Sequence, residues 1–175
     1  MTARRQENKG RCRGSALLVA VLATALVLSA GISTDADAGD AVVLTERVVI
    51  DRNTGLAIGG YDPVAYFTDG AAILGQGTIE ASQGGAVWRF CNEGNRAFFL
   101  ANPDIYAPQF GGYDPVDLTA GNIVAGRAQI WLVAGRRLYL FNREGNKDRF
   151  VADPARFARE AADKWPTLRD TLADY

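Results

Sequence analysis

Two aspartates occupy matching places in the sequence and are the first candidates for chemistry. Asp62 lies in Gly59-Gly60-Tyr61-Asp62-Pro63-Val64, and Asp114 lies in an identical stretch at residues 111–116. If the fold brought the two carboxylates together, they could bind a cation or share one proton. The alternative is structural, because Asp accepts free N–H groups at a helix start and a following Pro has no N–H to leave unsatisfied. We favour the helix-start interpretation.

Cysteine and histidine usage limits the remaining chemistry. The chain has no histidine, which excludes histidine-based catalysis and metal sites that use histidine. Cys91 is the only cysteine after residue 38. It could act as a redox thiol, or as a soft ligand for copper or zinc together with Asp62 and Asp114. The favoured interpretation is a small buried residue on a strand, since free cysteine is among the most buried residue types.

Four aromatic residues form a third candidate site. Tyr61, Tyr66, Trp88 and Tyr113 lie in the repeated motifs or on a predicted strand, and they could line an apolar pocket for a small ligand. Aromatic core is the favoured alternative, because aromatic side chains contribute much of the stability of protein interiors. An enzyme that uses a carboxylate or Cys91 is the least supported hypothesis, so we assign no catalytic residue.

The first 38 residues are typical of a secretory signal peptide. A basic segment precedes an apolar run at residues 16–30, and Ala36-Asp37-Ala38 is a small-x-small cleavage site. The run has 15 residues, fewer than the ~20 that a transmembrane helix needs. We therefore expect a periplasmic or secreted protein that is cleaved near Ala38. Membrane attachment is expected only if this segment is retained.

Charge and length bound the rest of the chain. Residues 39–175 carry 17 acidic and 14 basic residues, which argues against nucleic acid as a partner because phosphate binding requires a basic excess. The length suits one domain with a core of its own. The predicted organisation is a signal peptide (1–38), an extended segment (39–58), a domain (59–168) made of repeats 59–110 and 111–165, and a tail (169–175).

Each repeat predicts a β-hairpin followed by a helix. The first contains strands at residues 78–81 and 86–91 and a helix at residues 93–101. The second contains strands at residues 129–133 and 138–141 and ends in a helix that begins at Pro154 and stops at Pro166. Landmarks recur at offsets of 51 and 52 residues, which indicates a duplication. We predict one α+β domain with pseudo-two-fold character. Its expected core is Trp88, Phe90, Phe98, Tyr106, Trp131, Leu138, Leu140 and Phe150.

The motifs resemble a known family. At Tyr61-Asp62-Pro63-Val64 and Phe90-Cys91-Asn92-Glu93-Gly94-Asn95 the chain is similar to YHS domains, which are related to the treble-clef-like TRASH metal-binding modules. Exported single-domain YHS proteins of bacteria resemble it more closely, through residues 60–67, residues 106–113 and Lys164-Trp165-Pro166. The resemblance covers about residues 56–168.

The resemblance implies duplicated YHS/TRASH-like units and, in members that keep it, a metal site formed by cysteines. This chain departs from that site: the ligand positions hold Ala65 and Asn95 in the first repeat, Asp117 and Asn146 in the second, and Phe141 in the place of Cys91. The first hypothesis is therefore a non-enzymatic, exported YHS-type module without a cofactor, which binds a small ligand or a periplasmic protein. The alternative is a copper or zinc handling protein with a degenerate site around Cys91, Asp62 and Asp114.

Overall fold

The protein combines short helices with two antiparallel hairpins, as a computed structural model that describes residues 48–51 and 53–172 shows. The predicted α+β class is thereby confirmed. The predicted signal peptide and the first part of the extended segment lie outside the described residues. Within the described part, no helix is both long enough and apolar enough to cross a membrane.

The same order of elements occurs twice. The first unit contains α1 (Ala65–Thr68), β1 (Gln76–Gln83), β2 (Ala86–Phe90), α2 (Glu93–Ala101) and α3 (Pro103–Tyr106). The second unit contains α4 (Pro115–Thr119), β3 (Arg127–Ala134), β4 (Arg137–Phe141), α5 (Glu144–Ala152) and α6 (Pro154–Arg169). We call β1–β2 the first hairpin and β3–β4 the second hairpin. The helix predicted at residues 93–101 forms with those bounds, and strands β1 and β3 are longer than predicted.

Helix α6 continues past Pro166, so the prediction that this proline ends the helix is wrong. Pro166 lies in the last turn, where the hydrogen bond that proline removes is near the helix end. Tertiary contacts hold this turn in place, because the ring of Trp165 packs 5.6 Å from that of Tyr113 and 6.2 Å from that of Phe110.

A left-handed turn precedes each Tyr-Asp-Pro sequence. The φ angles are 45°, 65° and 78° at Ile58, Gly59 and Gly60, and 55°, 63° and 91° at residues 110–112. A residue other than glycine pays about 1 kcal/mol or more for this conformation, so its occurrence at both places indicates a geometric requirement. The turn aims the carbonyl of Gly60 at the N–H of Gly75 (2.9 Å), and residues 112 and 126 form the same bond (2.9 Å).

Strand β4 of the second hairpin is buried on both faces from Leu138 to Phe141, and residues 130–134 of β3 beside it are partly buried. Side chains alternate along a strand. Leu138 and Leu140 therefore join the apolar cluster of the first unit, whereas Tyr139 and Phe141 join that of the second unit. The first cluster also contains Val64, Tyr66, Trp88, Phe90 and Phe99, and the second contains Val116, Phe150 and Phe157. One hairpin thus closes both parts of the core.

Helix α2 buries a different face from the one predicted. Phe98 was expected in the core but is 50% exposed, whereas Phe99 is completely buried. Asn95 determines this rotation, because its side chain donates a hydrogen bond to the buried Asp62 (2.7 Å) and must face inward. Phe99 lies one turn after Asn95 and faces inward with it. The other predicted core residues are buried, except Tyr106 and Trp131, which are partly buried.

The two units pack head to tail. Tyr66 of the first unit donates its hydroxyl to the carbonyl of Ala128 (2.9 Å), and its ring lies 5.1 Å from that of Trp131. Tyr61 accepts a hydrogen bond from Gln129 (2.5 Å). In the second unit, Tyr113 stands where Tyr61 stands in the first, and it contacts α6. These contacts are not reciprocal, so the predicted pseudo-two-fold character does not extend to them. The physical reason is that α6 occupies the place that the second hairpin occupies on the first unit.

Gly126 provides a test of the close approach between each left-handed turn and the following hairpin. A Cβ at Gly126 would lie 2.6 Å from Leu140 Cβ and 2.7 Å from the Gly112 carbonyl oxygen. We predict that Gly126→Ala lowers the free energy of unfolding by about 2 kcal/mol, because overpacking costs 1–3 kcal/mol. Gly145→Ala is the control, since its Cβ would meet nothing within 4 Å and alanine favours the helix. Chemical denaturation should show opposite signs for the two variants, and equal losses would contradict the assignment.

Candidate functional site: two buried carboxylates

The first carboxylate is fully buried and accepts four hydrogen bonds. Asp62 is 0% exposed. Its Oδ1 accepts from the backbone N–H groups of Val64 (2.8 Å) and Ala65 (3.4 Å), at the start of α1. Its Oδ2 accepts from the backbone N–H of Cys91 (2.8 Å) and from Nδ2 of Asn95 (2.7 Å). One side chain therefore joins a helix start, the end of a return strand and the following helix.

The second carboxylate makes the same set of bonds. Asp114 is also 0% exposed. Its Oδ1 accepts from the N–H groups of Val116 (2.9 Å) and Asp117 (3.4 Å) at the start of α4. Its Oδ2 accepts from the N–H of Asn142 (2.8 Å) and from Nδ2 of Asn146 (2.8 Å). Every donor lies 51 or 52 residues after its counterpart in the first unit.

These bonds correct the alignment of the two units. Asn142, and not Phe141, stands where Cys91 stands in the first unit, because both donate the same N–H to the same carboxylate oxygen. Phe141 is the counterpart of Phe90, and the two stretches match without an extra residue. The sequence placed Asn95 and Asn146 only at ligand positions implied by the resemblance, and it did not predict that they bind the two aspartates. The signal that could have found them is the Glu-Gly-Asn sequence that begins both helices.

The arrangement assigns the two aspartates a structural role. A carboxylate removed from water requires hydrogen bonds to offset its desolvation, and bonds to an ionised acceptor are stronger than neutral ones. All four partners of each aspartate are N–H donors, and two of them come from the positive end of a helix. Asp62 and Asp114 belong to separate networks, each complete within its own unit. The structure therefore favours the helix-start interpretation over a shared cation or proton.

A surface arginine accompanies the additional acid of the second unit, with 62% of its side chain exposed. Asp117 is 8% exposed, and the guanidinium of Arg143 lies 3.4 Å from its Oδ1. The same guanidinium donates through Nε to Oδ1 of Asn146 (3.1 Å). In the first unit, Ala65 and Asn92 occupy the places of Asp117 and Arg143. The charge of Asp117 is thus compensated by a side chain of the chain itself.

Cys91 contributes its backbone rather than its sulfur to the first carboxylate. The residue is 5% exposed and packs with Ala65 and Ile73. It is not a free cysteine, so it does not offer an open thiol. In the part of the chain that the structure describes, no three His, Cys, Asp or Glu side chains are grouped so that they could hold a metal ion.

The four candidate pocket residues do not line one site. Trp88 and Tyr66 are 1% and 2% exposed, and both belong to the apolar cluster of the first unit. Trp88 donates its indole N–H to the Gln83 carbonyl (2.9 Å). Tyr61 packs at the edge of this cluster, whereas Tyr113 lies in the second unit against Trp165. The favoured interpretation of aromatic core therefore describes Tyr66 and Trp88.

Comparisons with known proteins do not supply a family. No protein-family model matches the chain, and searches of curated proteins and of solved structures find no match. The likeness to YHS domains therefore remains a resemblance, which rests on the residues of the two motifs.

The carboxylate networks predict a large effect from a small change. Asp114→Asn replaces one acceptor oxygen by an NH₂ group, and either orientation of the amide places that group against two N–H donors. We predict a loss of about 3 kcal/mol in the free energy of unfolding, because buried donors are left unsatisfied. Urea denaturation at pH 7 measures it.

Asp153→Asn is the matched control for this prediction. Asp153 caps α6 by accepting from the N–H of Arg156 (3.2 Å) and is exposed. Asn caps helices about as well as Asp, so this variant should stay within about 0.5 kcal/mol of the parent protein. A similarly small effect of Asp114→Asn would show that the four bonds do not require a carboxylate.

The burial of the Tyr66 phenol predicts that the free energy of unfolding declines at alkaline pH. Burial raises the pKa of Tyr66, and the neighbouring Tyr61 and Asp62 raise it further. The folded state therefore favours the protonated phenol, whose stabilising contribution is complete below the ordinary tyrosine pKa of about 10 and is lost as the pH rises above it. Tyr66→Phe should cost about 1 kcal/mol at pH 7, through the lost bond to Ala128, but should lessen the alkaline decline. Guanidinium unfolding between pH 7 and 11 tests this, and parallel curves for the two proteins would contradict it.

Proposed function

We propose that this chain is an exported, non-enzymatic YHS-type binding module whose partner is another protein of the periplasm or of the secreted fraction. The observation that carries this proposal is the apolar outer side of α2. Phe98 and Leu100 are 50% and 44% exposed, and Ala97 and Ala101 are exposed beside them. Single exposed apolar residues are ordinary, but a group of them on one helix is typical of an interaction surface.

Comparison with α5 supports this surface. Helix α5 has the same length as α2 and follows the second hairpin in the same way. Asp148 and Arg149 stand where α2 has Ala97 and Phe98. The two helices share their buried Asn and Phe, so the difference is confined to the outward side. The contrast rests on these two positions, because the counterpart of Leu100 is Val151, which is also apolar and is 53% exposed. The charged pair on α5 suits solvent, whereas Ala97 and Phe98 on α2 suit a protein partner.

Two further observations support the assignment to a duplicated YHS-type unit. The positions that the resemblance assigns to metal ligands come together, since Ala65 and Cys91 pack in one cluster and Asp117 and Asn146 both contact Arg143. The hydrogen bonds of the two units also correspond one to one around Asp62 and Asp114. We infer that one ancestral unit was duplicated and that polar or small residues replaced its metal ligands.

The burial of the two aspartates favours a binding role for the chain over an enzyme that uses these carboxylates. The oxygens of Asp62 and Asp114 are occupied by donors of the protein and have no exposed surface. A small ligand is less supported than a protein partner, because Tyr66 and Trp88 are buried in the core and do not line an open pocket. The signal-like segment supports export, and it lies outside the described residues.

Copper or zinc handling is the alternative function. It would require Cys91, Asp62 and Asp114 to act together. Asp62 and Cys91 meet in the first unit through a backbone N–H, whereas Asp114 belongs to the second unit. A metal would have to displace donors from both carboxylates, so the protein-binding proposal is favoured.

Site-specific photo-crosslinking tests the protein-binding proposal. Benzoylphenylalanine is placed at Phe98, and as a control at Arg149, in cells that naturally make the protein. We expect a discrete crosslinked product from position 98 that is lost when Leu100→Glu is added, and none from position 149. No product at position 98, or the same products from both positions, would refute the proposed surface.

Metal analysis of the purified full chain separates the two functions. The protein is incubated with one equivalent of Zn²⁺ or Cu²⁺, dialysed, and assayed for bound metal. We expect less than a tenth of an equivalent to remain, about the level expected of loose surface sites. One equivalent that is lost in the Cys91→Ala variant would favour metal handling and reject the simple module.

A further inference from the structure

The two hairpins differ at one matching cross-strand pair. In the second hairpin, Trp131 pairs with Leu140; in the first hairpin, Glu80 pairs with Arg89 at the same register position, 51 residues earlier. Trp131 and Leu140 face the first unit and take part in its apolar cluster. The second hairpin, which packs against the first unit, thus carries an apolar pair at this position. The first hairpin carries a charged pair there.

The charged pair remains in contact with solvent. Glu80 Oε1 lies 2.7 Å from Arg89 Nε, and the side chains of Arg89 and Glu80 are 35% and 37% exposed. Burying this pair against an apolar surface would remove both charges from water, and the attraction between them often does not offset that loss of hydration. The first hairpin is therefore unsuited to the docking that the second hairpin performs.

Helix α6 covers the corresponding surface at the other end. On the first unit, the motif around Tyr66 packs against the second hairpin. On the second unit, the ring of Trp165 packs on Phe110 and Tyr113, and Lys164 Nζ donates to the Thr119 carbonyl (2.6 Å). Phe157 of the same helix is buried in the apolar cluster of the second unit. Helix α6 thus takes the place of a hairpin.

We propose that α6 is a built-in cap over a hairpin-docking surface, and that its excluded occupant is the first hairpin of a second copy of this chain. A head-to-tail interface that does not close on itself continues into a chain of molecules. Repeat proteins prevent this with polar or capped terminal repeats. Here the Glu80–Arg89 pair protects one end and α6 protects the other. This inference concerns assembly and does not depend on the partner of α2.

Two sets of substitutions in the full chain test the proposal. The hairpin set, Glu80→Trp with Arg89→Leu, reproduces the apolar pair of the second hairpin. The helix set, Lys164→Ala with Trp165→Ala, loosens α6 without touching the buried Phe157. Sedimentation velocity over a range of concentrations measures the weight-average mass. We expect either set alone to keep the parent mass, and the combined variant to show at least a twofold, concentration-dependent increase.

A chain-stopping control separates specific docking from general stickiness. In the helix-set protein Trp165 no longer covers Phe110 and Tyr113, but the first hairpin is still charged. An excess of this protein should therefore end each growing chain and lower the mass of the combined variant towards that of a dimer. Aggregation through exposed apolar residues would not respond in this way.

Three outcomes would overturn the proposal. In the first, the hairpin set alone assembles as strongly as the combined variant, which would show that α6 blocks nothing. In the second, the combined variant unfolds cooperatively, with the parent circular dichroism spectrum, yet keeps the parent mass. In the third, the helix-set protein fails to reduce the assembly. If the combined variant does not fold, Trp165→Ala alone replaces the helix set and the same outcomes apply.

Discussion

A buried carboxylate with four N–H donors is the interaction on which the rest of this structure depends. An aspartate taken out of water must be surrounded by donors, and Asp62 draws them from a helix start, a strand end and an asparagine on the next helix. The bond to Asn95 turns α2 so that Phe99 faces inward and Phe98 faces outward. Asp114 and Asn146 impose the same rotation on α5, where Phe150 is the buried residue. A polar bond thus selects the apolar face of each helix.

The same joint is used twice, but its surroundings differ. The motif of the first unit is covered by the second hairpin, and the motif of the second unit is covered by α6. Because the second hairpin must serve the clusters of both units, its strands are apolar on both faces. The first hairpin serves only one cluster, and its other face carries the Glu80–Arg89 pair. The two similar units therefore pack in one direction only. The first hairpin lies at one end of the pair, and α6 lies at the other.

This division bears on where function lies. Residues that are identical in the two units form the joint, and their polar atoms are occupied by it. Some positions that differ between the units, such as Phe98 and Arg149, face outward. A binding surface is expected at these exposed, differing positions, since there the chain is free of the requirement to hold the fold together. The outer side of α2 fits that expectation, and the proposed cap at α6 follows from the same comparison.

The sequence by itself determined the local elements, because their signals are local. Asn92 and Glu93 marked the start of α2, glycines marked the hairpin turns, and the repeated Asp-Pro marked two helix starts. The α+β class and most of the core followed from the alternation of apolar residues. The sequence also showed that Asp62 and Asp114 had a sufficient structural cause. Only the tertiary structure decided that Asn95 is buried and Phe98 is not, that Asn142 is the counterpart of Cys91, and that α6 replaces a hairpin. Each of these depends on which groups meet a buried carboxylate or a motif across 28 or more residues of chain. Neither periodicity nor composition carries that information.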